Sequence, residues 1–262
     1  MKLLEIKNVT MQFGGLKALN DLNMCIEQGE IHGLIGPNGS GKTTCFNVIS
    51  GVYRPTEGEI FLDGKKITGK KKHEINKLGI ARTFQHISLF KNMSVLENVM
   101  VGQHCRTSSG IFPAIFHTRS ERQEEEKIIA KAYKLLDLTH LDNRAGELAS
   151  NLPYGEQRLL EIARGLASGP KMMMLDEASA GMNSVEKDAL ISIIHAIRGM
   201  GITILMIEHD MKLAMNLSDK ITVLDHGAMI AEGLPNDIQK NSQVIEAYLG
   251  KGEVQHAKHA GN

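Results

Sequence analysis

Between residues 36 and 43 the chain reads Gly36-Pro37-Asn38-Gly39-Ser40-Gly41-Lys42-Thr43, which matches the pattern G-x-x-x-x-G-K-[ST] at every fixed position. An apolar strand pattern at 30–35 precedes it, and a helix-compatible stretch at 44–49 follows it. Glycines let successive backbone N–H groups turn inward around phosphate oxygens, and the next helix directs its positive end at the same anion. The pattern therefore predicts a phosphate-binding loop between a strand and a helix.

The side chains of this loop have distinct expected roles. Lys42 should neutralise the β and γ phosphates of a bound nucleotide, and the hydroxyl of Thr43 should hold Mg²⁺. Thr44, the next residue, completes the set of nucleotide-binding residues expected here. Because kinases, GTPases, helicases and transporter ATPases all contain such a loop, the loop alone does not choose among them.

Two adjacent acids end a second apolar strand pattern, Met172–Leu175. Asp176, at the strand tip, is expected to complete the Mg²⁺ shell, usually through water. Glu177 points in another direction and is expected to polarise the attacking water as a general base, an effect worth about 10²–10⁴-fold in rate. On its own the pair is equally compatible with a solvated strand end. Together with the phosphate loop it predicts hydrolysis of ATP.

Length and composition fit a globular protein with a large core. The chain has 262 residues, 42% of them apolar, and its 30 basic residues balance 30 acidic ones, which gives nucleic acid no support as a partner. Three widely spaced cysteines form neither a zinc pattern nor a disulfide framework, as in a reducing cytosol. The longest apolar runs, such as 202–207, are far shorter than the roughly 20 residues that span a bilayer. We therefore expect a soluble chain that another protein holds at any membrane.

The order of strand and helix patterns predicts an α/β fold. Hairpin signals at Asp63-Gly64 indicate antiparallel sheet in the first third of the chain. A capping-box pattern at Ser94 opens a region that is helical throughout, and beyond Met172 strands alternate with helices, as in a parallel sheet covered by helices. We expect one domain, 1–250, and a mobile tail, 251–262. Within the domain, the nucleotide-binding core with its antiparallel β subdomain is expected at 1–89 and 166–250, and a helical subdomain at 90–165.

A family resemblance rests on the segment Asn151-Leu152-Pro153-Tyr154-Gly155-Glu156-Gln157-Arg158. It resembles the signature motif, usually written LSGGQ, of ATP-binding cassette (ABC) proteins. Four further features follow the family's order: the aromatic residue before the phosphate loop, the Q-loop glutamine, the D-loop and the switch histidine, here Phe13, Gln85, Ala180-Gly181-Met182-Asn183 and His209. The resemblance covers almost the whole chain. It implies a P-loop NTPase fold of the ABC type, with a mixed parallel core sheet, an antiparallel β subdomain and an inserted α-helical subdomain.

The resemblance also implies a head-to-tail dimer that buries two ATP molecules, each between the phosphate loop of one subunit and the signature of the other. In the signature, the expected nucleotide contacts are Pro153, Tyr154, Gly155 and Glu156. The Gly155 N–H and the N-terminus of the following helix would meet the γ-phosphate. Within one subunit, Phe13 would stack on adenine and His209 would contact the γ-phosphate. Gln85 would touch Mg²⁺ or the lytic water and report nucleotide state to a partner.

Several positions depart from the family pattern. The signature serine is Pro153, so this position offers no hydroxyl to a γ-phosphate in trans. The other replacements are Tyr154 for glycine, Glu156 for glutamine, Ala178 for the proline after the acids and Asn183 for the D-loop aspartate. None removes a group that the chemistry requires, and all bear on the contacts made across the dimer.

Local strings indicate one branch of the family. The ATPases of bacterial branched-chain amino acid importers resemble this chain at 13–19, 82–85, 94–102, 154–157, 180–183 and 207–211. ATPases for urea or short amides and the ATPase of the lipopolysaccharide exporter share many of these strings, so those cargoes stay open. The implied partners are a second ATPase subunit, identical or a paralogue, integral membrane permeases and, indirectly, a periplasmic substrate-binding protein. The implied location is the cytoplasmic face of the inner membrane.

Two other classes of protein share the phosphate loop. Soluble ABC proteins of DNA repair or translation usually contain two cassettes, or coiled-coil or zinc-hook insertions, and this sequence has neither. Small-molecule kinases need an acceptor pocket and a lid in place of the signature and the terminal histidine. The lysines between 65 and 72 resemble a basic patch, but no aromatic residues interleave, which favours a solvated loop.

Overall fold

The computed structural model of the chain describes residues 1–83, 87–103 and 119–249, with side chains described except at 119–124 and 249. Its strands are β1 Lys2–Phe13, β2 Leu16–Glu27, β3 Ile31–Ile35, β4 Glu57–Leu62, β5 Lys65–Lys66, β6 Ile80–Arg82, β7 Met172–Asp176, β8 Thr203–Ile207, β9 Lys220–Asp225 and β10 Ala228–Gly233. Its α-helices are α1 Lys42–Ile49, α2 Lys72–Leu78, α3 Val95–Gln103, α4 Arg119–Leu138, α5 Tyr154–Ala167, α6 Ser184–Gly199, α7 Met211–Leu217, α8 Pro235–Lys240 and α9 Ser242–Leu249. Gln85 and the predicted tail, 251–262, lie outside the described residues.

The chain forms two compact units. One combines Met1–Ile75 with the chain from Thr203 onward, and the other is Asn76–Ile202. The predicted subdivision at 89/90 and 165/166 rests on helix content and is a different partition, which stays a prediction. In neither unit does a described helix combine the length and the apolar character needed to cross a membrane.

The first unit contains an antiparallel sheet and a mainly parallel one. The antiparallel sheet has the order β2-β1-β4-β5, and β4 and β5 form the predicted hairpin around Asp63-Gly64. In the other sheet β10, β9, β3 and β8 are neighbours in that order, with β3 parallel to both β8 and β9. All five residues of β3 are buried, as expected of a central parallel strand with both faces covered. The loop after β3 is therefore anchored to a rigid strand.

Helices α7, α8 and α9 close one side of this unit. Their apolar residues pack with those of β3 and β9 in a core of Ile35, Ala214, Ile221, Val223, Ile238 and Val244. The isoleucine and valine side chains of this core contribute about 1.5–3 kcal/mol each when fully buried. The core fixes the C-terminal helices beside the strand that leads into the phosphate loop.

The second unit pairs β6 with β7 in parallel and packs α3, α4 and α5 on one another. The predicted capping box at the start of α3 is confirmed: Ser94 Oγ accepts from the Glu97 N–H at 3.1 Å, and Glu97 Oε2 accepts from the Ser94 N–H at 2.7 Å. Helix α4 buries Ala132, Leu135 and Leu136, which belong to its predicted apolar face. Apolar residues at helical spacing thus face the core, as the sequence indicates.

Some elements were not predicted. Strand β2 carries polar residues such as Asn20, Asp21 and Asn23 that interrupt its alternation, and it is held by pairing with β1. The lysine-rich segment expected to be a solvated loop contains β5 and the start of α2, with the side chains of Lys65, Lys66 and Lys72 exposed. The short helices α8 and α9 are held in position by their apolar residues, which pack in the core described above.

Candidate functional site

The phosphate loop joins β3 to α1, as predicted. Gly36 and Gly41 have φ of +152° and +105°, a region that side-chain-bearing residues rarely adopt. A Cβ on Gly36 would lie 2.1 Å from the Leu224 carbonyl oxygen, and one on Gly41 would lie 2.5 Å from that of Ala18. Only glycine allows the backbone to pass this closely between β9 and β2.

Charge and exposure around the loop suit a phosphate ligand. Lys42 is buried, and its ammonium group donates to the carbonyl oxygens of Gly36 at 2.7 Å and Pro37 at 2.8 Å. Helix α1 has no acidic residue in its first turn, so no side-chain carboxylate there neutralises the partial positive charge of the helix N-terminus. The side chain of Thr43 is exposed, as are Asn38 and Gly39. The glycine backbone, the buried ammonium and the helix N-terminus together fit a polyphosphate.

Phe13, the expected adenine platform, ends β1 and is 43% exposed. Its ring meets that of Tyr53 edge-on, with centroids 5.2 Å apart and an interplanar angle of 77°. Tyr53 is also partly exposed, at 37%. Sequence reasoning missed Tyr53, because a single aromatic residue after a helix carries no motif. The pair presents aromatic surface in the same unit as the phosphate loop.

Helix α9 contacts the phosphate loop through Tyr248. Burial raises the pKa of the Tyr248 hydroxyl, and a hydrogen bond with the Gly36 backbone partly offsets that rise. Sequence reasoning missed this contact too, since α9 itself was not predicted.

His209, the expected switch histidine, follows β8 and has an exposed side chain. The next residue, Asp210, caps α7 by accepting from the N–H groups of Lys212 and Leu213 at 3.1 and 3.2 Å. His209 is thus held between a buried parallel strand and a capped helix. It belongs to the same unit as the phosphate loop and Phe13.

The two predicted acids differ in their surroundings. Asp176 ends β7, is almost fully buried, and accepts from Arg82 Nη2 at 2.8 Å. Its backbone N–H donates to the hydroxyl of Thr83 at 3.2 Å. Glu177 is half-buried and has φ of +51°, so the chain turns sharply between the two residues. Glu177 thus lies at a bend directly after the buried end of β7.

The signature segment opens helix α5 in the second unit. Pro153 occupies the position before the helix and provides no side-chain cap for the first N–H groups of α5. The hydroxyl of Tyr154 accepts from Arg158 Nη2 at 3.1 Å, and Glu156 pairs with Arg144 at 3.2 Å.

Gly155 packs against the first turn of α6. A Cβ at Gly155 would lie 2.6 Å from Glu186 Oε1, so a larger residue there would have to displace the Glu186 carboxylate. Glu186 forms a capping box with Asn183, which stands at the D-loop aspartate position: Asn183 Oδ1 accepts from the Glu186 N–H at 3.0 Å, and the Asn183 N–H donates to the Glu186 carboxylate at 2.8 Å. Asn183 therefore caps its helix in spite of the departure from the family pattern.

The structure thus brings Phe13, the phosphate loop and His209 into one unit, and Asp176, Glu177 and the signature into the other.

The family profile described as ABC transporter matches residues 19–180. The chain belongs to the ABC transporter family. A second profile, described as branched-chain amino acid ATP-binding cassette transporter, matches residues 228–254 of this cassette. The family and the branch predicted from the sequence are both confirmed.

Similar proteins agree along nearly the full length of the cassette. LivG of Escherichia coli, a high-affinity branched-chain amino acid transport ATP-binding protein, is 44% identical over 95% of the cassette and 98% of LivG. MJ1267, an ATP-binding cassette solved in its ADP conformation, is 32% identical with a TM-score of 0.83, over 96% of this chain and 100% of MJ1267. The cassette MJ0796, solved as a dimer bound to ADP and Pi, is 26% identical with a TM-score of 0.76, over 89% of this chain and 99% of MJ0796. The predicted fold class, α/β of the ABC ATPase type, is confirmed.

Proposed function

We propose that this cassette is the ATP-binding and ATP-hydrolysing subunit of an ABC importer of branched-chain amino acids. The observation that carries the proposal is the likeness to LivG along 95% of the chain, in a cassette whose phosphate loop and acidic strand end are complete. A small-molecule kinase accounts for neither the signature nor the C-terminal match. Urea, short amides and lipopolysaccharide are the alternative cargoes.

Nucleotide binding is assigned to three parts of the chain. Phe13 stacks on adenine, the phosphate loop holds the phosphates, and the signature of a second subunit meets the γ-phosphate. The full set is Phe13, Gly36, Pro37, Asn38, Gly39, Ser40, Gly41, Lys42, Thr43 and Thr44, with Pro153, Tyr154, Gly155 and Glu156 acting in trans. The buried ammonium of Lys42 and the open N-terminus of α1 support the phosphate assignment.

Mg²⁺ is assigned to Thr43, Asp176 and Gln85, oxygen ligands of the kind that this ion prefers. The exposed hydroxyl of Thr43 and the buried carboxylate of Asp176 fit such a role. When bound, the ion supplies positive charge to the phosphoryl oxygens. Glu177 takes the proton of the attacking water, and His209 and Gln85 orient the γ-phosphate and the water.

The proposed partners are a second ABC ATPase subunit, identical or a paralogue, and integral membrane permeases that hold the pair at the cytoplasmic face of the inner membrane. A periplasmic substrate-binding protein acts through those permeases. The dimer solved for MJ0796 supports the first of these partners. So does Tyr154, whose side chain is 48% exposed at the start of α5, where a second subunit would meet the signature.

Uptake measurements test the proposal. In a strain lacking this chain, uptake of labelled leucine, isoleucine and valine at low external concentration should fall, and the wild-type chain should restore it. Lys42→Ala should not restore it, whereas Lys2→Ala, at an exposed lysine of β1, should. Normal leucine uptake with loss of urea uptake would reassign the cargo, and normal uptake of both with intact lipopolysaccharide export would reject a transport role.

A further inference from the structure

The tip of β7 carries a buried ion pair that the sequence motifs do not explain. Arg82, the last residue of β6, places Nη2 2.8 Å from Asp176 Oδ2, and the two side chains are only 7% and 3% exposed. The next residue, Thr83, holds the same strand end: its N–H donates to the Met174 carbonyl at 2.9 Å, and its hydroxyl accepts from the Asp176 N–H at 3.2 Å. Arg82 and Thr83 therefore hold the end of β7 by an ion pair and by hydrogen bonds.

Burial gives this pair an electrostatic consequence. An ionised carboxylate removed from water is strongly destabilised unless a cation neutralises it. The guanidinium of Arg82 supplies that positive charge through a charge-assisted hydrogen bond, the stronger kind. Asp176 thus has a counter-ion within its own unit.

Asp176 is also the carboxylate to which the proposed function assigns Mg²⁺. Two cations that share one carboxylate repel each other, so each is held less tightly than it would be alone. We propose that Arg82 is the counter-ion of Asp176 in the metal-free cassette and that it competes with Mg²⁺ for this carboxylate. Arg82 is then a positioning residue that limits how strongly Mg²⁺ reinforces nucleotide binding. The inference rests on the proposed role of Asp176.

A second buried pair in the same unit provides a matched control. Arg158 Nη1 lies 3.3 Å from Glu161 Oε2, and these side chains are 3% and 2% exposed. Neither residue is among the assigned metal ligands. Replacement of Arg158 breaks a buried ion pair of the same type, and with it the hydrogen bond to the Tyr154 hydroxyl, so it reports a loss of stability that is unrelated to Mg²⁺.

The test measures binding of a fluorescent ADP analogue to the full chain in EDTA and in Mg²⁺. The ratio of the two dissociation constants is the Mg²⁺ enhancement. Arg82→Gln is expected to raise the enhancement about tenfold or more, because one positive charge beside the metal is removed. Arg158→Gln should leave it within about twofold of wild type. Asp176→Asn should abolish it, and adding Arg82→Gln to Asp176→Asn should restore none of it.

Arginine side-chain NMR of the wild-type chain gives an independent measurement that does not need a folded Arg82→Gln. The Nε–H signal of Arg82, identified by its loss in Arg82→Lys, should shift when Mg²⁺ is added to the ADP complex. An unmoved signal overturns the proposal, and so does an enhancement in Arg82→Gln that equals or falls below that of wild type. If wild type itself shows no Mg²⁺ enhancement, the assignment of Mg²⁺ to Asp176 fails. If wild type shows the enhancement but Arg82→Gln does not increase it and the Arg82 signal does not shift, the assignment of Mg²⁺ to Asp176 stands and the competition by Arg82 is rejected.

Discussion

Glu177 has an unusual backbone for its residue type. Among the described residues, the other non-glycine residues with positive φ are Asn, Asp or His, the types that tolerate this region best. Glu177, at +51°, is the exception. Such backbone strain is typical of functional positions, where the surrounding structure holds it in place. Here the residue with positive φ directly follows the buried strand β7 and its last residue, Asp176.

Glu177→Gln tests the catalytic role of this side chain. The amide has nearly the same shape but cannot take a proton, so steady-state ATP hydrolysis should fall by about 10²–10⁴-fold while ATP affinity is retained. Phosphate release and calorimetric titration measure the two quantities. Glu126→Gln, at an exposed acid of α4, is the control and should turn over normally. Unchanged turnover in Glu177→Gln would remove this residue from the chemistry.

The sequence predicts the side chains that belong to a motif. It misses the side chains that contact those motif residues only after the chain has folded. The phosphate loop and the acidic pair were recognisable because their chemistry requires adjacent residues in a fixed order. Tyr53 and Arg82 were not, because their significance comes from Phe13 and Asp176, which are distant in the sequence. A residue that meets its partner only when the chain folds leaves no local pattern in the sequence.

The start of α6 shows how an element accommodates a departure from the family pattern. Asn183 and Glu186 form a reciprocal capping box, and Asn and Asp are equally good caps. Asn183→Ala should lower the free energy of unfolding by about 1 kcal/mol, whereas Asn183→Asp should leave it nearly unchanged. Urea unfolding followed by circular dichroism compares the two. If the aspartate variant proves as unstable as the alanine variant, the amide makes a contact other than the cap.

Helix α9 places Tyr248 beside the backbone of Gly36. Tyr248→Phe removes the hydroxyl that bonds the Gly36 backbone and keeps the ring in the groove beside α7 and α8. The free energy of unfolding should fall by about 1 kcal/mol, the usual net worth of one hydrogen bond. Urea unfolding measures this, with Tyr133→Phe, at an exposed tyrosine of α4, as control. Equal stability of Tyr248→Phe and wild type would show that α9 is held by its apolar contacts alone.

Elements with their own periodicity or capping were predictable, and elements defined by their neighbours were not. The capping box of α3, the apolar face of α4 and helix α7 all follow from local spacing. Strand β2 depends on its ladder with β1, and α8 and α9 depend on a core whose other members come from β3 and β9. Tertiary pairing overrides weak local preference in these cases.

At the scale of the whole molecule, the chain leaves one compact unit after Ile75 and returns to it at Thr203. The α/β class was predictable from the alternation of strands and helices beyond Met172, and the family from the order of its motifs. The boundaries of the units were not, because they depend on contacts between segments that are far apart in sequence. The signature and the phosphate loop lie in different units of one chain, and the proposed dimer joins them across two chains.

The dimer can be tested on the full chain with a variant that binds ATP and does not consume it. Glu177→Gln should elute as a dimer in Mg-ATP and as a monomer in Mg-ADP, measured by size exclusion with light scattering, because only ATP carries the γ-phosphate that the partner's signature contacts. Adding Lys42→Ala should return it to a monomer in Mg-ATP, since the phosphates lose a fixed positive charge. A mass that does not respond to ATP would mean that nucleotide does not join the subunits. The permeases would then have to hold the two cassettes together.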